Sequence, residues 1–248
     1  MQNELFITSR ILTSLIVLLL CFDIASVKAQ SKTPGRLAEA EQQSKRASDL
    51  LEKIMAQTDH RIPKELLNKA EAVAVFTDVK KVGLLFEGLS FGHGAISRRF
   101  SDHWSAPSFF ILRGLSIGPQ IEAKSINIVM LFMNDTAADW LLEKRGVVFE
   151  RAKAPVSGPV GEIRTEQKEV MPVANLFSYT FNDDRLLGRD LKNMLKNFGI
   201  KADNDLNKSV YGLSAYDLLS ASNSSKIVQV TTEVNIFSQT VARFFARN

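Results

Sequence analysis

The sequence predicts an α+β fold: a strongly curved, mainly antiparallel β-sheet, partly closed and barrel-like, with N-terminal and peripheral helices. Residues 37–69 carry helical periodicity, whereas from Ala72 the chain breaks into short apolar or alternating runs. Glycines fall inside or beside those runs, where a strand bends, bulges or admits another backbone. An antiparallel sheet so rich in glycine is expected to curl.

Taken in order, Leu37, Ala40, Ala47, Leu50, Leu51 and Ile54 recur at helical spacing among charges, giving an amphipathic helix with one narrow apolar stripe. Pro63 occupies a first helical position before a short second helix over 64–69. Strand character follows at 72–76, 82–86, 91–99, 108–113, 116–121 and 126–133. Gly83, Gly88, Gly92, Gly94, Gly114 and Gly118 accompany these runs. Asn134 can cap a helix over 135–145 that Gly146 ends. Residues 147–154 and 170–181 return to strand. Residues 187–198 show helical spacing, with a strand as the open alternative. Asp203 or Asn204 starts a short helix reaching Tyr211, and Ser214 caps another over 215–219. Residues 227–234 alternate like a strand. Ile236, Phe237, Thr240, Val241, Phe244 and Phe245 then form the apolar face of a terminal helix.

Residues 1–29 read as a signal peptide. The apolar run 11–22 follows Arg10, and Val27-Lys28-Ala29 places small residues where a signal peptidase reads. The run is shorter than the roughly 20 residues of a membrane-spanning helix; an uncleaved anchor is the alternative. Leu20 is too bulky for lipoprotein cleavage before Cys21, the only cysteine, so a cleaved chain would carry no disulfide or thiol site. Residues 30–36 read as a linker, 37–220 as one domain, and 221–248 as a C-terminal extension with an amphipathic helix. The 45% apolar content excludes a disordered chain. A net charge of +4 is too weak to argue for nucleic acid; for an exported protein, periplasmic or extracellular, it suits an anionic membrane surface or acidic partner.

Seven segments lie in the order of a known module. They are Val73-Ala74-Val75-Phe76 with Val79-Lys80-Lys81-Val82-Gly83, Trp104-Ser105-Ala106-Pro107-Ser108-Phe109, Gly114-Leu115-Ser116-Ile117-Gly118-Pro119-Gln120-Ile121, Val129-Met130-Leu131-Phe132-Met133-Asn134-Asp135, Ser157-Gly158-Pro159-Val160-Gly161, Phe177-Ser178-Tyr179 and Tyr211-Gly212. Together these resemble the SYLF-domain family, a lipid- and actin-associated module. The resemblance implies a binding domain without catalytic residues, recognising phosphoinositide or other anionic lipid. Actin is not the partner expected for an exported chain. Glu122 stands where the family has a small residue, and 185–198 is more charged than its glycine-rich counterpart.

Gly88-Leu89-Ser90-Phe91-Gly92 matches the G-x-S-x-G nucleophile elbow of serine hydrolases. The elbow requires a following helix and a later histidine, yet the next residues are strand-like, and the three histidines, His60, His93 and His103, all precede the C-terminal half. A chance match in a glycine-bent strand accounts for it. His93 and His103, near Glu87 and Asp102, fit no familiar metal spacing and read as solvated; no cofactor motif occurs. Basic clusters are the better candidates for lipid contact: Lys80 and Lys81, Arg98 and Arg99, Arg113 and Lys124 at strand ends, and Arg243, Phe244 and Phe245 in the terminal helix. Solvated hairpin ends and a helix packed on the sheet are the competing readings. The leading expectation is therefore an exported, non-enzymatic phospholipid-binding module. A protein- or polysaccharide-interaction domain is the alternative, and a serine hydrolase at Ser90 a remote third.

Overall fold

The computed structural model describes residues 34–59, 61–84, 87–101, 103–117, 125–150, 153–161, 174–182, 185–187, 195–223 and 230–246. The predicted signal segment, Lys124 and the side chain of Lys81 lie outside them. Helices α1 (Pro34–Ala56) and α2 (Lys64–Lys69) precede the long strands β1 (Ala72–Leu84), β2 (Glu87–Arg98), β3 (Ser108–Ile117) and β4 (Ile126–Phe132). Then come α3 (Asp135–Asp139), β5 (Val147–Val148), β6 (Val156–Ser157), β7 (Leu176–Asn182), β8 (Arg185–Leu186) and β9 (Leu195–Ala202). Helices α4 (Asn204–Tyr211), α5 (Ala215–Leu219) and α6 (Thr232–Phe244) complete the order.

The strands form one sheet, β5-β9-β3-β2-β1-β4-β7-β6, with β8 paired to β7. Every pair is antiparallel except β6–β7, so the α+β class and the curved, mainly antiparallel sheet hold. Alternation along β1 sends Ala72, Ala74 and Phe76 to one face and Val73 and Val75 to the other, and both faces are buried. The first face is filled chiefly by strand side chains from both ends of the sheet, including Phe110, Met130, Phe132, Phe198 and Ile200, with helical residues contributed mainly by α3, the 3-10 turn after it and α5. That filling is what a sheet curling onto itself provides. The second face is covered by α1, α2, α4 and α6.

Bulges interrupt the long strands: one falls at Gly114, where the register of β3 against β9 slips between Arg113 and Leu115, and another, in β1, carries no glycine. The register of β1 against both neighbours slips between Phe76 and Lys80, where Asp78 adopts φ +53°. This bulge is held by Asp78 N–H donating to Asn127 Oδ1 at 2.9 Å and by an Arg46–Asp78 ion pair at 3.2 Å. Gly94 serves packing instead: a Cβ there would lie 2.5 Å from both the Phe76 ring and the Val75 carbonyl oxygen.

Several local expectations change. The 30–36 linker loses its last three residues to α1, which begins at Pro34. Residues 72–76 and 82–84 belong to one strand across the bulge, as do 108–113 and 116–117 across Gly114. The helix after Asn134 ends as α at Asp139 and continues as a 3-10 turn to Leu142. Residues 195–198 are strand, because β9 pairs with β3. Thr232–Val234 start α6 rather than extend a strand: the Thr231 hydroxyl accepts from Val234 N–H at 3.3 Å and caps the helix. The boundary at 220 separates no packing units. Val234, Phe237, Val241 and Phe245 of the α6 segment join the buried cluster of α1, and Ser48 Oγ meets Thr240 Oγ1 at 2.7 Å between them.

Candidate functional site

The sheet face covered by helices is not covered along its whole length. Past Ala95 of β2 and Phe109 of β3, both buried, the same face continues through His93, Phe91 and Leu89 and through Ile111, Arg113 and Leu115. Register sets these in rows. Leu89 pairs with Leu115; Phe91 pairs with Arg113 on one side and Lys80 on the other; Ile111 pairs with His93 and with Lys201. Leu89 is 62% exposed, Phe91 41% and Leu115 45%. Lys80, Arg113 and Lys201 are exposed around them. The result is an apolar ridge between cations, lining a groove of about 510 Å³.

Large apolar side chains in adjacent rows on a solvent face are uncommon, because a solvated sheet face is normally polar. A row in which Phe91 lies between two cations matches the needs of an interface: rings enter an apolar layer while long basic side chains reach anionic groups.

The other basic candidates go elsewhere. Arg98, on the opposite face of β2, is 3% exposed. Its guanidinium donates to Asp139 Oδ1 at 2.8 Å, Asp135 Oδ1 at 3.4 Å and the Leu219 carbonyl at 3.1 Å, tying α3 and α5 to the sheet. Arg99 donates to the carbonyls of Ala70 at 2.9 Å, Leu67 at 3.3 Å and Phe245 at 2.7 Å, and covers the Trp104 ring at 4.4 Å. It clasps the C-terminal ends of α2 and α6. Arg98 is thus removed from the set of surface contacts, because a buried guanidinium must find acceptors and this one has found them within the fold, whereas the half-buried Arg99 is engaged by backbone carbonyls. Phe245 is fully buried, edge-on to Trp104 at 5.8 Å, so it cannot anchor in a membrane without leaving the core. Phe244 is half-buried beneath Arg243, which is paired with Glu52 of α1 at 2.6 Å. Of the predicted cations whose side chains are described, only Lys80 and Arg113 border the ridge.

Leu89, Ile111 and Leu115 were not singled out by sequence reasoning. Their alternation marks a strand, but which stretch of a strand the helices leave uncovered is not written in any local pattern.

Ser90 points to the other side of β2, 2% exposed, and its hydroxyl has no hydrogen-bond partner among the described residues. Beyond it β2 runs on as strand to Arg98, whereas a nucleophile elbow turns into a helix there. His93, three residues on, projects from the opposite face.

Burial alone lifts the Tyr179 and Tyr211 phenols above the usual tyrosine range. Each hydroxyl donates to a proline carbonyl, Pro159 at 3.1 Å and Pro107 at 2.6 Å, so these groups fasten loops.

Comparison with known proteins finds a distant likeness. The chain is 27% identical over 153 residues to an SH3 domain-containing protein of Schizosaccharomyces pombe. The match covers 60% of this chain and 34% of that protein, so the chain spans about a third of the relative's length. No family model matches the chain, and no solved structure matches it.

Proposed function

We propose that this protein is a non-enzymatic, SYLF-like binding module that docks on anionic phospholipid surfaces, acting outside the cytoplasm after export by its N-terminal signal. The observation that carries the reading is the ridge of Leu89, Phe91 and Leu115, exposed between Lys80, Arg113 and Lys201. Partial insertion of the three apolar side chains would remove their surface from water. Each of the three cations would add about 1 kcal/mol of attraction to an anionic bilayer, weakened by salt. The ordered segments that resemble the SYLF family support the same reading.

A second reading places a protein on this ridge. It is favoured by the yeast relative, whose name describes an SH3 domain-containing protein.

Flotation of the purified protein with neutral and with anionic vesicles, at low and raised salt, tests the first reading. Association with anionic vesicles that falls with salt is the expected result. Absence of association at low salt would remove membrane binding. A stable complex with a defined protein that survives delipidation would favour the second reading.

A further inference from the structure

We propose that Glu39, His93 and Asp203 form a divalent-cation site of the zinc class. Their donor atoms, two carboxylate oxygens and an imidazole nitrogen, all lie within 4.8 Å of one another. They come from three separate elements: the first turns of α1, the middle of β2, and the junction of β9 with α4. One imidazole with two carboxylates is a nitrogen–oxygen set that suits zinc, whereas calcium takes six to eight oxygens. Two carboxylates balance the ion's charge, and three protein ligands leave a fourth position open.

The donors are held in place from behind. Asp203 N–H donates to the Phe109 carbonyl at 2.9 Å, and Asp203 Oδ1 caps α4 by accepting from Leu206 N–H at 3.1 Å. This leaves Oδ2 for a ligand. Glu39 Oε2 accepts from Arg36 at 2.9 Å and its Oε1 from Gln43 Nε2 at 3.4 Å, and the lone pairs of a carboxylate can serve these donors and an ion together. Gln43, one turn after Glu39, lines a cavity of about 270 Å³ together with His93. Its amide nitrogen donates to Glu39 Oε1 at 3.4 Å, while its buried Oε1 has no hydrogen-bond partner among the described residues. Arg46 and Lys80 line the same cavity; Arg46 is paired with Asp78, and Lys80 lies directly opposite Phe91.

The site borders the apolar ridge but stands independently of the membrane reading. The test is titration of chelator-stripped full-length protein with Zn²⁺ alone, by calorimetry and by competition with a chromogenic chelator. One equivalent should bind. Because His93 is exposed, His93→Gln should keep the circular dichroism spectrum yet weaken binding by roughly tenfold or more, the scale seen when even outer-shell partners are lost. Glu39→Gln should do the same, and His103→Gln, on the exposed β2–β3 loop, should leave the affinity unchanged. Zn²⁺ should also raise the melting temperature of wild type but not of His93→Gln. Failure to bind one equivalent, or wild-type affinity in both His93→Gln and Glu39→Gln, would overturn the site.

Discussion

Replacing Leu89, Phe91 and Leu115 together by threonine tests whether the ridge is a membrane contact. Threonine is β-branched and suits a strand, so the local preference is retained while the apolar surface goes. Full burial of a large apolar side chain is worth about 2 kcal/mol. Scaled by exposures of 62%, 41% and 45%, the three side chains have about 3 kcal/mol still to gain from leaving water. Their loss should therefore lower partition into anionic vesicles by roughly a hundredfold, at about 1.4 kcal/mol per tenfold. Because the side chains protrude, the melting temperature should change little. The assay is co-sedimentation with phosphatidylglycerol vesicles at several lipid concentrations, with circular dichroism as the check on folding. Wild-type partition by a folded triple variant would refute the ridge as the contact surface, whatever the protein's overall affinity for lipid.

Gly94→Ala should destabilise the fold by about 1–3 kcal/mol, because its methyl group would press on Phe76 and the Val75 carbonyl; thermal or denaturant melts read this directly. Arg99→Ala leaves three carbonyls without their shared donor and strips the cation from Trp104; a loss of about 2–4 kcal/mol is expected, with Arg99→Lys only a partial rescue, by the same melts. Tyr179 and Tyr211 should resist ionisation in the folded protein. A phenol whose folded pKa is raised stabilises the fold fully below its unfolded value near 10 and progressively less above it. Ultraviolet titration should show these two ionising together with alkaline unfolding; normal titration of both in a folded protein would contradict their burial.

Elements whose signals are local were legible in the sequence. The stripe Ala40, Ala47, Leu50, Leu51 and Ile54 is the buried face of α1. Asn134, Asp203 and Ser214 cap the helices they introduce, and Gly212 ends α4 at φ +71°. Features decided by partners were not. Helical spacing over 187–198 competes with pairing to β3, and for 195–198 the ladder wins. Residues 227–234 alternate, but Thr231 and the contact of Val234 with the α1 cluster make the end of that run helical. The bulge sits on an aspartate because Asn127 and Arg46, distant in sequence, receive it. The candidate site was half visible: Lys80 and Arg113 stand out as charges, but the exposed apolar rows emerge only once the helical cover is known to stop short of them.

The same boundary explains why neighbouring cations have opposite roles. Along β2, residues of one parity join the helix-covered face and those of the other join the curled interior. Arg98 falls on the interior side, where desolvation would be prohibitive without Asp135, Asp139 and the Leu219 carbonyl, so its charge is used to hold α3 and α5. Arg99 lies at the strand's helical end, where three terminal carbonyls gather and a guanidinium can serve them all. Lys80 and Arg113 lie at the other end, past the last helix, where charge remains solvated and the paired Phe91 has no cover. Among the described residues, α1, α2, α4 and α6 cover the neighbouring stretch of the outer face and strand side chains fill the inside, so at the distal ends of β1–β3 exposed apolar side chains and exposed cations coincide.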